Sequence, residues 1–88
     1  MPTIDHIVRS LLAHHLDRAP STLHGSLSLS RDLDVTPLEL VLLALDLEDI
    51  EGVSIPVEQL GRIETVAELI EFLDATVREQ RRGRLRVA

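Results

Sequence analysis

An all-helical bundle is the fold class this sequence predicts, and three observations lead to it. Apolar residues recur three and four positions apart over long stretches instead of alternating. Two of those stretches open on a Thr-x-x-Glu pattern, the signature of a helix N-terminus. The apolar residues themselves are Leu, Ile, Val and Ala, with aromatics at 1%. Leu and Ala also have high helix propensity, so core formation and backbone preference point the same way. The 88 residues suffice for one domain and one core. A chain of this size buries only about 60–65% of its unfolded surface, which leaves a thin margin of stability.

The elements follow in chain order. Thr3 to Leu16 reads as helix one, with Ile4, Ile7, Val8, Leu11, Leu12 and Leu16 on one stripe. Thr3 is a suitable N-cap, and Asp5 lies in the first turn, where the helix dipole favours negative charge. Residues 18–22 end it, and residues 23–35 form a long connection. Within that connection Ser26 to Ser30 alternates as a strand would. Five residues with no partner strand in sight read better as a loop whose Leu27 and Leu29 tuck against the helices. Thr36-Pro37-Leu38-Glu39 is the strongest local signal. Thr and Glu form a capping box, and proline at the first helical position has a suitable φ and no N–H to leave unpaired. Helix two runs from there to Glu51 and stops at Gly52. Its apolar residues cover more than one stripe, so it is central, or shows apolar surface, or both. Val53 to Pro56 is an extended link, because the residue before proline avoids the helical region. Pro56 to Leu60 offers a short third helix. Thr65 and Glu68 form a second capping box, opening helix four with Val66, Leu69, Ile70, Leu73 and Val77 on one face. The bundle thus has three long helices and one short one. Ile7, Val8, Leu11, Val41, Leu69, Ile70 and Leu73 are the expected core. Residues 1–77 are expected to be the domain and residues 78–88 a frayed basic tail.

Composition narrows the function. With no cysteine there is no disulfide scaffold, thiolate nucleophile or thiolate metal site. The densest apolar run, Leu38 to Leu47, is about half a membrane span and carries Glu39 and Asp46. Asp5 and His6 stand where a secretory signal would be basic, so a cytoplasmic location is expected. The net charge of −6 is unevenly spread. Residues 31–74 hold two Arg against twelve acids, net −10, whereas residues 75–88 hold five Arg against one Glu, net +4. An acidic middle disfavours nucleic acid and favours basic protein surfaces. His6, His14, His15 and His24 lack the spacing of three or four that paired helical metal ligands need, so no metal site is expected. Glu48 and Asp49 read as a solvated helix end, because catalytic carboxylates must be buried and opposed. No nucleophile elbow or phosphate-cradling glycine loop is present, and the chain is not expected to be an enzyme.

The order of these pieces resembles the acyl carrier protein family. The resemblance runs without a gap from about Thr3 to Leu73. It is carried by Asp32-Leu33 before helix two, Leu47-Glu48 within it, Gly52-Val53-Ser54-Ile55-Pro56 after it, and Ile63-Glu64-Thr65-Val66 at the start of helix four. It implies an acyl-carrier-like helical bundle whose members bear cargo on a phosphopantetheine arm. The arm is linked to a serine in an Asp-Ser-Leu motif at the start of helix two. In this sequence that motif falls on Thr36-Pro37-Leu38, and the serine position is Pro37, which has no hydroxyl. Thr36 is the nearest substitute, but its role as an N-cap already accounts for it. Ser28 and Ser30 lie further upstream, in the loop.

The resemblance also implies docking of helix two on partner enzymes through an acidic face, of which Glu39, Glu48 and Asp49 keep part. Leu42 and Leu45 fall at outward positions once the core is assigned, and these five are the expected contact residues. The first expectation for function is therefore a binding or adaptor module of the acyl-carrier type without its arm. No cofactor is expected in that case. Its partners would be proteins with basic or apolar patches, acyl-processing enzymes among them. Two alternatives remain open. One is a working carrier in fatty-acid or polyketide-type biosynthesis, with phosphopantetheine on a neighbouring hydroxyl such as Thr36. The other is an unrelated helical bundle that homodimerises through helix two.

Overall fold

The computed structural model describes residues 3–87, with side chains from Thr3 to Gly83. Three α-helices form it, α1 (Ile4–Leu16), α2 (Pro37–Glu51) and α3 (Val66–Val87), with short 3-10 segments at Pro20–Thr22 and Val57–Arg62. This is the all-helical bundle expected, with the second 3-10 segment in place of the short third helix.

Each α-helix begins where a side chain can satisfy its first free N–H groups. Thr3 Oγ1 accepts from the His6 N–H at 3.1 Å. Thr65 Oγ1 accepts from the Glu68 N–H at 3.2 Å. At Thr36 the box is complete, because the Glu39 carboxylate also accepts from the Thr36 N–H. α1 ends on Asp17 and α2 on Gly52, both in the left-handed region, with φ of 54° and 65°. That conformation is easy for glycine and tolerable for aspartate.

The core is aliphatic. Leu12, Leu23, Leu43, Leu47, Leu69, Leu73, Val8, Val66 and Val77 are fully buried, and no polar or charged residue is buried among the described residues. Of the expected core, Val8, Leu69, Ile70 and Leu73 are buried. Ile7, Leu11 and Val41 sit only partly buried at its margin, and residues of the long connection take a share of the core. Leu23, Leu29, Leu33 and Val35 of that connection are all buried. α1 packs against both α2 and α3.

The connection is tied down by its backbone. Ser28 forms one isolated antiparallel bridge with Thr65. The Leu29 N–H donates to Glu64 O at 2.8 Å, and the Val66 N–H to Leu27 O at 3.1 Å. The alternating run therefore does find a partner, the short link before α3, but pairs over too short a length to become a strand. Close approach is possible here because Gly25 has no Cβ; one built there would lie 3.2 Å from the Ala67 Cβ.

α3 does not stop at Val77. The helix continues to Val87. Arg78 pairs with Asp74 one turn back, and Arg81 reaches Glu51 at 2.6 Å. Ala88 and the side chains of residues 84–87, part of the expected tail, lie outside the described residues.

Burial of Leu69 between the helices predicts that Leu69→Ala destabilises the fold by about 2–5 kcal/mol. Chemical denaturation followed by circular dichroism measures this. An unchanged midpoint would mean that the stripe of α3 does not face the core.

Candidate functional site

Two features converge at the start of α2. The loop turns through Asp34, whose φ of 54° is left-handed, and delivers Thr36 as N-cap and Pro37 as the first helical residue. The turn is braced behind: the Val35 N–H donates to Leu29 O at 2.7 Å, and Asp32 Oδ2 accepts from the Ser28 N–H at 2.7 Å. Pro37 is exposed. The Thr36 hydroxyl is doubly engaged, accepting from the Glu39 N–H at 3.2 Å and donating to Glu39 Oε1 at 3.1 Å. Leu38, Glu39 and Leu40 complete the first turn without a hydroxyl. Of the upstream hydroxyls, Ser28 Oγ accepts from the Arg31 N–H at 3.1 Å, while Ser30 is exposed.

Beside Pro37 lies a cavity of about 270 Å³. Leu40 and Val41 of α2 wall one side, Leu60 and Ile63 the other, and Leu29 and Val35 come from the connection. Ser30 and Glu64 are its polar lining. It lies between α2 and the 3-10 segment because small and branched aliphatics there leave space that an aromatic ring would fill.

The outer face of α2 is the second feature. Leu38, Leu42 and Leu45 follow each other at spacings of four and three, so they form one row along the helix. They are 66%, 44% and 48% exposed; Ile50, further around the helix near its end, is 53% exposed. Asp49 continues the row and Asp46 flanks it, both exposed. The breadth of apolar residues in α2 is thus explained by display at the surface, while Leu40, Leu43, Ala44 and Leu47 face the core. Leu42 and Leu45 lie on this outer face as the sequence suggests; Leu38 joins them.

The remaining expected contact residues are placed differently. Glu39 is held in the capping box on one flank of the row. Glu48 lies on the other flank, half-buried, and Oε2 accepts from the Ile55 N–H at 2.6 Å, which anchors the link after α2. Its partner is seven residues away across a turn, and no local pattern announces that contact. Among the histidines, His6, His14 and His24 are exposed. His15 Nε2 lies 3.1 Å from Asp46 Oδ2, joining α1 to α2.

Residues 6–73 match the phosphopantetheine attachment site family. The chain belongs to that family. It is also similar to acyl carrier protein 3 of Ralstonia nicotianae, at 28% identity over 76 residues that cover 86% of this chain and 87% of that protein. Domains of this family carry a phosphopantetheine group and serve acyl-processing enzymes without being enzymes themselves. The all-helical fold of this member is consistent with that of the family. No helix among its described residues is long and apolar enough to cross a membrane.

The contrast between the two faces of α2 predicts contrasting costs. Leu42→Gln should change stability by no more than about 0.5–1 kcal/mol. Leu43→Ala, one residue on, should cost about 2–5 kcal/mol. Thr36→Ala should cost about 1 kcal/mol through loss of the cap. Equilibrium urea unfolding of the three variants checks the ranking; equal losses at positions 42 and 43 would overturn the assignment of faces.

Proposed function

We propose that this chain is an acyl-carrier-type protein that docks on partner proteins without carrying the usual arm. The observation that carries the reading is Pro37 at the first helical position of α2, where the family's attachment serine is expected. Arm transfer requires a hydroxyl oxygen that can attack phosphorus. The proline ring offers none, and the Thr36 hydroxyl is committed to Glu39 on both its donor and acceptor sides. It also stands one residue earlier, outside the helical turn. A displacement of that kind is severe for group transfer, because misplacement by about 1 Å already costs ~100-fold in rate. The first turn of α2 therefore does not fit a phosphodiester-linked group.

The docking face in this reading is the outer side of α2, with Leu42, Leu45 and Asp49 at its centre and Glu39 and Glu48 at its flanks. Leucines framed by carboxylates suit a partner that offers both apolar and basic groups. The exposed Asp46 and Asp49 disfavour pairing of two identical faces, so a partner protein is favoured over a second copy. Acyl-processing enzymes in the cytoplasm are the partners this reading expects.

The deciding experiment is intact mass after incubation with coenzyme A and a promiscuous phosphopantetheinyl transferase. The natural chain should keep its mass, and Pro37→Ser, which serine tolerates in a first helical turn, is the variant expected to gain the arm. An adduct on the natural chain would restore the carrier reading, with Thr36 and then Ser30 the positions to map.

Docking is tested separately by capture from native extract. Leu42→Asp and Asp49→Lys should each weaken recovery of a partner, and Asp49→Lys should also reduce its salt sensitivity. Glu48→Lys is a poorer probe because it also removes the anchor of Ile55. Recovery unchanged by either clean variant would remove the outer face of α2 as the interface.

A further inference from the structure

Between Val77 and Gly83, the last residue whose side chain is described, α3 has no buried residue to hold it down. Residues 78–83 are polar or glycine, and all but Gln80 are exposed. Yet the helix continues, and two of its side chains leave it to grip another element. Gln80 holds Ser54 from both sides: its Oε1 accepts from the Ser54 N–H at 2.8 Å, and its Nε2 donates to the Ser54 carbonyl. Arg81 Nη2 bonds Glu51 Oε1 at 2.6 Å, where the Glu51 side chain is only 12% exposed.

These contacts fall on the link between α2 and the 3-10 segment. The N–H groups of Gly52 and Val53 go to the Glu48 carbonyl, and that of Ile55 goes to the Glu48 carboxylate. Among the described residues, the N–H of Ser54 is held by α3 instead. Immediately beyond it the chain enters the 3-10 segment, whose Val57 and Leu60 line the cavity beside Pro37. The end of α3 and the cavity wall are therefore joined through three residues of extended chain.

We propose that the C-terminal extension of α3 is a latch that sets the position of the 53–56 link and, through it, the wall of the cavity. Gln80 acts as the partner that an extended segment would otherwise find in a neighbouring strand. Arg81 secures the helix carrying it to the last turn of α2. Release of the latch frees the link on one side while Glu48 still holds it on the other, so the 3-10 segment shifts without the core unfolding. The device is independent of whether an arm is attached.

Ser54 provides the test. It is exposed, so slow exchange of its amide hydrogen depends on Gln80. Amide exchange and methyl spectra of the full chain would be compared for the natural protein, Gln80→Ala, Gln80→Glu, Arg81→Ala and Arg82→Ala. Gln80→Ala should speed exchange at Ser54 by about tenfold or more while Leu12 in α1 is unchanged, the mark of a local opening. It should also move the methyl resonances of Val57 and Leu60. Gln80→Glu keeps the acceptor and loses the donor, and should fall between. Arg81→Ala should have a smaller effect in the same direction. Arg82→Ala, which removes no ion pair among the described residues, should have none. Exchange at Ser54 that is already unprotected in the natural chain would overturn the latch. So would acceleration of Ser54 and Leu12 together, or still resonances at Val57 and Leu60 in Gln80→Ala.

Discussion

The reciprocal hydrogen bonds between Thr36 and Glu39 set the phase of α2, and much of the molecule depends on that phase. A helix that began one residue later would rotate its side chains by about 100° relative to the loop that feeds it. Leu40, Leu43 and Leu47 would leave the core, and the outer row of leucines would turn toward α1. Glu48 would no longer reach Ile55. Proline at the first position reinforces the choice, since its ring accepts helical φ there and penalises a helix extended backward through it. The start of α2 is thus over-determined by three residues, each for a different reason.

That same over-determination opposes the chemistry for which the family is known. A hydroxyl that caps a helix is held against the backbone, whereas a hydroxyl that carries a prosthetic group must point outward with its oxygen free. Here the capping role is taken by Thr36, and in the function proposed above the outward position falls to Pro37, which has no oxygen to offer. In that reading the stabilising local chemistry and the carrier chemistry compete for the same turn, and Thr36-Pro37 favours stability. The outer leucines of α2 are unaffected by that choice, so the docking proposed for them does not depend on it.

Much of the fold was legible in the sequence because its determinants are local. Helix boundaries followed from Thr3, Thr36, Gly52 and Thr65, each read within four residues. The buried stripe of α3 followed from periodicity alone. What escaped were contacts between residues far apart in the chain. Glu48 looked like a surface acid because nothing nearby reveals that its carboxylate turns back to Ile55. Gln80 and Arg81 looked like tail residues, since a polar stretch carries no periodic signal of what it grips. Ile7, Leu11 and Val41 were placed too deep because the buried share taken by Leu23, Leu33 and Val35 of the connection has no helical pattern to disclose it. At the candidate site, Pro37 and the exposure of Leu42 and Leu45 could be read directly; the cavity beside Pro37 could not, being defined by four segments at once.

The fully buried core is aliphatic, and Phe72, partly buried on α3 and packed against it, is the sole aromatic ring besides the histidines. An optical consequence follows. With neither tryptophan nor tyrosine, the protein is almost transparent at the wavelengths used to follow most proteins, and it has no intrinsic emission to mask that of a companion. Any indole that a docking protein lays across Leu42 and Leu45 would therefore report its own desolvation against a dark background, and an encounter at α2 would be visible by fluorescence without a label on either molecule.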